Sequence, residues 1–437
     1  MAAPRNSLRG FLTHAKTALR SAISSNQKVT LVIGNESADL DSMTCQILYA
    51  YIRSMAPPKN AFTPLYIPVT NMPASGINMR PEFQAVFKYA NIEPTHLITL
   101  DDLPALSDMQ ATLKPENTKW ILVDHNALQG QLGKIYSSRV QGVIDHHDDE
   151  GKVPQETGAE PRIIEKSGSC TSLITNYIRP AWDMLSGSAL TSGAAHAQGD
   201  SLADDDAVVK RWDASVAQLG LASILIDTSN LQDKNKTTEH DRKAVEYLEA
   251  KILSCPQLAT TYDRSAFYSA IDAAKKDIGP LKLQDILQKD YKEWEQNDGQ
   301  KLGISSVVAP LSFLQSKAGD EASSSSSSPS SRAFLDQLQA FAQERNLDLY
   351  SIMTTSTSSD GHFQRELLLW AFNEKAAAWA KAFEVNAQEE LGLQDWEEDT
   401  DVASGEGDKQ WRRVWWQRNV QHSRKRVAPL LKQANSS

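Results

Sequence analysis

Two carboxylates set two positions apart, Asp39 and Asp41, follow directly on a short apolar run at residues 29–33, in the segment Gly34-Asn35-Glu36-Ser37-Ala38-Asp39-Leu40-Asp41-Ser42. The same juxtaposition recurs. Residues 120–123 run into Asp124-His125-Asn126, residues 140–144 into Asp145-His146-His147-Asp148-Asp149, and residues 221–226 into Asp227-Thr228. Acids gathered without partners repel one another and raise their own pKa values, so such a set is either dispersed by the fold or held by cations. Carboxylate and imidazole donors without thiolate suit Mn²⁺, Mg²⁺ or Co²⁺ better than structural zinc. Asp39, Asp41, Asp124, His146 and Asp227 supply enough donor atoms for two such ions about 3.5–4 Å apart, an arrangement that activates water for attack on a phosphoryl group. An ordinary helix N-cap also accounts for Asp41-Ser42 taken alone.

The elements that must position these residues are legible as alternation. Residues 29–33, 65–69, 97–100, 120–123, 140–144 and 221–226 are short, near-continuously apolar and rich in β-branched side chains, as buried parallel strands are. Helix-length segments lie between them, at 42–55, 81–89, 170–178 and 203–218. This predicts a doubly wound α/β domain whose ligand crevice lies at the carboxyl ends of the strands. Lone histidines (His14, His96, His196, His240, His362) read as hydrogen-bonded core residues. The adjacent His146 and His147 differ, because neighbours in extended chain point opposite ways and take separate roles, with Asp145 or Asp148 as hydrogen-bond partner.

With 437 residues, two or three domains are expected. A helix at 239–252 closes the first, giving domains at 1–255 and 256–437. The second reads as α+β, with helices at 265–276, 283–294 and 332–345 and strands at 303–308, 347–354 and 366–372. Three stretches read as loops: 185–206, a serine-rich insertion at 317–331 that is almost pure serine from 323, and an acidic insertion at 395–408. The formal charge of −10 excludes a general affinity for polyanions, so any such binding is local. Three widely spaced cysteines, Cys45, Cys170 and Cys255, fit a reducing compartment and exclude a CxxC zinc site. No apolar run is long enough to span a membrane. The first 28 residues carry five bases and no acid, which suits either a presequence or a first helix packed on the sheet. The expected location is the cytoplasm, with the mitochondrial matrix as the second reading.

Four ordered motifs, GNESADLDS (34–42), VDHN (123–126), DHH (145–147) and LIDT (225–228), resemble the DHH phosphoesterase superfamily. Ser423-Arg424-Lys425, with the segment opening at Ala274-Lys275-Lys276-Asp277, is similar to its DHHA2-type subgroup, which contains fungal exopolyphosphatases, prune-type proteins and family II pyrophosphatases. The resemblance spans roughly residues 25–432. It implies a mainly parallel N-terminal DHH domain, a smaller α+β DHHA2 domain and an active site in the cleft between them. It also implies that Asp39, Asp41, Asp124, His146 and Asp227 bind two ions, Mn²⁺ or Mg²⁺ with Co²⁺ as an alternative, and that Asp124 and Asp227 bridge them. His147 would face phosphate, His125 would give support, and Lys275 or Lys276 with Arg424 and Lys425 would bind phosphate oxygens. By the same resemblance Asp124, His146 and His147 would form the catalytic set. Pyrophosphatases of this group have His where Asn35 stands, and an amide is a poor metal donor. That departure favours an exopolyphosphatase.

The stretch 409–432 interleaves eight Lys and Arg with Trp411, Trp415 and Trp416, a pattern open to single-stranded nucleic acid or to a packed amphipathic helix leading to Ser423-Arg424-Lys425. The resemblance selects the second. The expectation is a monomeric hydrolase that removes the terminal phosphate of inorganic polyphosphate, without nucleic acid or membrane partners. Alternatives are a nucleotide phosphodiesterase, a prune-like phosphodiesterase or regulatory scaffold, and an inorganic pyrophosphatase.

Overall fold

The structure, a computed structural model, describes residues 5–193, 201–296, 298–322, 330–407 and 410–435. They divide into two compact units, Met1–Asp277 and Ile278–Ser437. In the first, five parallel strands, β1 (Val29–Ile33), β2 (Tyr66–Val69), β3 (Thr118–Val123), β4 (Val140–Asp145) and β5 (Arg162–Ile164), lie in the order β2-β1-β3-β4-β5. β1 to β4 are almost wholly buried, which is why they read as unbroken apolar runs. The order reverses between β1 and β3, the point where an open sheet leaves a crevice beyond its carboxyl ends.

The N-terminal helix Leu8–Ser24 buries Leu8, Phe11, Leu12, Ala15 and Leu19 in the core of this unit, and Lys16 Nζ donates to the Leu97 carbonyl at 2.8 Å. It is therefore a structural helix. Among the described residues no helix is long and apolar enough to cross a membrane. Cys45, Cys170 and Cys255 are free and buried.

Several expectations are corrected. Residues 221–226 are not a strand but the end of helix Ser201–Asp227; Leu221, Ala222, Ile224 and Leu225 are all fully buried, and a helix buried all round mimics a buried strand in hydropathy. Residues 97–100 contribute one parallel bridge, Thr70 to Thr99, before a 3₁₀ turn at Leu100–Asp102. β5 went unread because it is only three residues long. The stretch 185–206 is helical at both ends, belonging to Cys170–Gly193 and Ser201–Asp227, while 194–200 lies outside the described residues. Helix Arg264–Lys276 buries Phe267 and Ile271 in the first core, so this unit runs to Asp277 and not to 255. His14 and His362 are exposed and His96 caps a turn, so none is a core residue; His196 lies outside the described residues.

The second unit is built on a mixed sheet. Its strands are β6 (Tyr291–Glu295), β7 (Lys301–Val307), β8 (Leu349–Thr354), a short hairpin of β9 (Ser356–Thr357) and β10 (Phe363–Gln364), β11 (Glu366–Ala371), β12 (Leu393–Asp395), β13 (Ser404–Gly407) and β14 (Gln410–Gln417). The main order is β12-β14-β11-β8-β7-β6, with only β7 and β8 parallel. Both faces are covered: Tyr350, Ile352, Leu368 and Trp370 enter one core, and Leu349, Met353, Leu367 and Leu369 the other.

Here too the sequence misled. The helix expected at 283–294 stops at Lys289, and Tyr291–Glu295 is an edge strand. The acidic stretch 395–408 is no loop, since it buries Trp396 and Val402 and forms helix Thr400–Ala403 capped by Asp399. Part of 317–331 is helical, at Leu311–Ala322 and from Ser330, and 323–329 lies outside the described residues. The tryptophans of the basic run sit on a strand, not a helix. Trp411 and Trp415 are buried, so neither offers a platform for stacked bases.

Candidate metal centre

β1 and β3 are adjacent, so the loops that leave their carboxyl ends meet. After β1 the chain turns sharply at Gly34, where a Cβ would lie 2.6 Å from Ser42 Cβ. This close approach lets Ser42 Oγ accept from Asn35 N at 3.1 Å while donating to Asp124 Oδ2 at 2.6 Å. Asp39 caps helix Leu40–Met55 by accepting from Ser42 N at 3.0 Å, which uses Oδ1 and leaves Oδ2 uncommitted. Asp124, just past β3, takes a φ of 61°, a left-handed conformation that Asp tolerates better than most residues and that is over-represented at functional sites.

Asn35 has both ends of its amide engaged. Its Oδ1 accepts from Ser37 N and Ala38 N (2.9 and 3.1 Å), which fixes the amide so that Nδ2 donates to Asp124 Oδ2 at 2.8 Å. With Ser42 on the same oxygen, Asp124 is left to present Oδ1. That atom faces His146 Nε2 at 3.2 Å.

His146 and His147 leave β4 with different partners. His146 Nδ1 lies 3.0 Å from the Ser167 carbonyl, an acceptor only, so Nδ1 carries hydrogen and Nε2 turns to the site. His147 Nδ1 lies 2.8 Å from Asp145 Oδ1, while Asn126 Nδ2 steadies Asp145 Oδ2 at 2.6 Å. Of the two partners expected, Asp145 serves His147; Asp148 instead pairs with Lys166 at 2.6 Å. Donor atoms of Asp124, His146 and His147 all lie within 4.8 Å of one another, close enough to hold a cation. His125 donates to the Val123 carbonyl at 3.0 Å, and burial holds its pKa below the usual value, so its buried Nε2 is an unpartnered lone pair.

Asp227 is the last residue of its helix, where the helix dipole disfavours a negative charge. Its Oδ2 is buried without a hydrogen-bond partner. The chain then leaves through three consecutive left-handed residues, Ser229, Asn230 and Leu231 (φ 50°, 57° and 63°), strained for leucine above all. Asp41 is placed differently. Its Oδ1 accepts from Ser169 Oγ, Thr171 N, Thr171 Oγ1 and Ser223 Oγ (2.7, 2.9, 2.6 and 2.9 Å) and Oδ2 only from Cys170 N at 2.7 Å, so Oδ2 is the less committed oxygen.

The charges of this set are mutually strained. Burial, then the charges of Asp41 and Asp39, pushes Asp124 up to about 7. Burial and the same neighbouring acids hold Asp227 well above the usual carboxylate range, against the pull of Lys275. Burial alone would depress His146, but its bond to Asp124 and the charges of Asp41, Asp124 and Asp227 outweigh this and raise it to about 10. A buried acid with an orphaned oxygen that acts on His146, together with donor atoms of Asp124, His146 and His147 gathered within 4.8 Å, fits a divalent cation that would displace protons from the set.

Of the cationic residues, Lys275 lies within electrostatic reach of Asp227, whereas Lys276 is committed to Asp272 at 2.6 Å. In the second unit Ser423 caps helix Arg424–Ala434; Arg424 is braced on Asp290 through its carbonyl and Oδ1 (2.8 and 2.7 Å), and Lys425 is exposed. Sequence reasoning missed the segment Ser167–Ser172, which supports Asp41 and His146 through backbone and hydroxyl groups. Its run of small polar residues before a helix was the available signal.

Residues 29–195 match the DHH family, N-terminal domain, and residues 269–434 match the DHHA2 domain. A provisionally named exopolyphosphatase of Schizosaccharomyces pombe is 30% identical over 98% of this chain and 95% of its own length. Exopolyphosphatase PRUNE1 of Rattus norvegicus is 24% identical over 96% of this chain and 78% of its own. A manganese-dependent inorganic pyrophosphatase of Methanothrix thermoacetophila is 25% identical over 74% and 80% respectively. Among solved structures, a family II inorganic pyrophosphatase, provisionally so assigned, from Methanococcus jannaschii superposes with a TM-score of 0.51, covering 94% of this chain and all of that one at 21% identity, a likeness of fold.

Proposed function

The chain belongs to the DHH family and carries a DHHA2 domain, and on that premise we propose that it is a metal-dependent exopolyphosphatase that removes the terminal phosphate of inorganic polyphosphate. Its place among phosphohydrolases rests on the relatives; the finer reading rests on the site. The observation that carries it is the gathering of Asp124, His146 and His147 donor atoms within 4.8 Å, beside acids whose mutual repulsion a cation would relieve. Asp39, Asp41, Asp124, His146 and Asp227 would hold two divalent ions, Mn²⁺ or Mg²⁺. When bound, such ions supply an activated water and neutralise phosphoryl oxygens.

The protein's own residues do the positioning. Asn35 and Ser42 keep Asp124 turned so that Oδ1 faces inward. Asp145 holds His147 by Nδ1, so the half-exposed ring offers Nε2 to a phosphate oxygen and donates to it when protonated. Lys275, Arg424 and Lys425 are the cations assigned to the phosphate chain, with Arg424 held ready by Asp290. The use of Asn35 as a donor to Asp124, where pyrophosphatases of this group have a histidine, counts against a dedicated pyrophosphatase.

The test is phosphate release from polyphosphate, pyrophosphate and a cyclic nucleotide with Mn²⁺ or Mg²⁺, with and without chelator. Polyphosphate is expected to be the preferred substrate, and chelator to abolish release. Chelator-resistant release would overturn the metal dependence, and no release on any substrate would overturn the reading in favour of a scaffold. Arg424→Ala is expected to raise KM for polyphosphate about tenfold or more, since a charge-assisted hydrogen bond contributes about 1.5–3 kcal/mol, and to flatten the salt dependence. An unchanged salt profile would remove Arg424 from the binding surface.

A further inference from the structure

We propose that Asp241, a residue that touches none of the candidate ligands, is the positioning residue of the cation site. The inference rests on the metal-site reading above and extends it to a residue outside the four motifs. Asp241 is completely buried, and its carboxylate accepts from five donors. Two belong to its own turn, Thr238 N and Oγ1 at 2.7 and 2.8 Å; the first, with the Thr238 side chain accepting in return from the Asp241 backbone, makes the capping box of helix Glu239–Leu253. A capping box needs no more than that. The other three come from some seventy positions away: Gly168 N at 2.9 Å, Ser169 N at 3.2 Å and Ser172 Oγ at 2.6 Å.

The segment they belong to carries two site residues on its other side. The Ser167 carbonyl takes the Nδ1 hydrogen of His146 at 3.0 Å. Ser169 Oγ, Cys170 N, Thr171 N and Thr171 Oγ1 all donate to Asp41. Gly168 marks how closely the segment is pressed down, since a Cβ there would lie 2.9 Å from Asp241 Oδ2 and 2.6 Å from Cγ2 of Thr228, the neighbour of Asp227. Asp241 therefore fixes the platform on which the His146 ring and the Asp41 carboxylate are oriented. Among the described residues no Lys or Arg forms an ion pair with it, so its five hydrogen-bond donors are what hold it. Replacing one oxygen by an amide group sets its N–H against at least one backbone N–H, that of Ser169 on Oδ1 or those of Gly168 and Thr238 on Oδ2, whereas the hydroxyls can turn to accept.

The experiment measures Mn²⁺ affinity of the full chain by calorimetry, together with melting temperature without metal. Asp241→Asn is expected to weaken Mn²⁺ binding about 10–100-fold, the range for residues that orient ligands. Asp213→Asn is the structural control: a buried acid of the same unit, ion-paired with Arg5 and bonded to the Trp182 indole and the Ser186 hydroxyl. It should lower the melting temperature and leave Mn²⁺ affinity within about twofold. Gly168→Ala, which lifts the segment while keeping Asp241, should weaken affinity in the same direction and serves where Asp241→Asn does not fold. Wild-type affinity in Asp241→Asn or in Gly168→Ala overturns the proposal, as does an equal loss in Asp213→Asn. A wild-type chain that binds no Mn²⁺ overturns the metal reading itself.

Discussion

Asp124→Asn is expected to lower metal-dependent phosphate release by at least about a hundredfold, the cost of losing one preorganised charged contact, while the fold stays intact. Asn is the informative replacement because residue 124 has a φ of 61°, which Asn adopts readily. Alanine there adds strain of about 1–2 kcal/mol and confounds folding with function. The two donors on Asp124 Oδ2, Ser42 Oγ at 2.6 Å and Asn35 Nδ2 at 2.8 Å, will hold the amide oxygen of the replacement. Its NH₂ must then face His146 Nε2 and the cation position, so the substitution both removes a charge and sets a donor where an acceptor is required. Phosphate release and thermal melting measured on the same preparation check this. Turnover within about tenfold of wild type, with melting unchanged, would sink the assignment of Asp124 to the catalytic set.

The orientation of Asp124 illustrates where the sequence is legible and where it is not. That carboxylates follow β1, β3 and β4 could be read directly, because buried parallel strands announce themselves as apolar runs and ligands gather beyond their ends. Asp227 was read to the same place through the wrong element, since a helix buried on all sides has the hydropathy of a strand. What Asn35 does was not legible: its type said only that it makes a poor metal donor, and the direction of its amide is set by two backbone N–H groups of a turn. Nor was the Ser167 carbonyl, because every residue has one. In the second unit the strands β7, β8 and β11 were legible from their apolar runs, whereas β14 was hidden by a run of paired arginines and tryptophans whose spacing also suits a helix.

The protonation state of the metal-free site leads to the other large effect. The pKa of Asp124 rises to about 7 on folding from an unfolded value of about 3.9, so its contribution to stability is complete below the lower value and is lost as pH rises through 7. His146 rises from about 6.5 to about 10, and its contribution is likewise present at low pH and lost towards 10. Both act in the same direction, and Asp227, raised by burial and by the neighbouring acids, adds to them. The metal-free protein should therefore lose site stability as pH rises, and a cation, which replaces the displaced protons, should bind more tightly. The rise in melting temperature on adding Mn²⁺ is expected to be larger at pH 8 than at pH 6. Asp227→Asn removes an acid that has an orphaned oxygen and stands at a helix carboxyl terminus, an end effect of about 0.3–1 kcal/mol before the relief of repulsion is counted. At pH 8 without metal the variant should melt about 2–4 °C above wild type, the shift that 1 kcal/mol gives in a domain of this size, and Mn²⁺ should then add little. A Mn²⁺ response that is flat with pH, or an Asp227→Asn protein that melts lower and still gains the full Mn²⁺ shift, would mean that these acids are neutralised by something other than a cation.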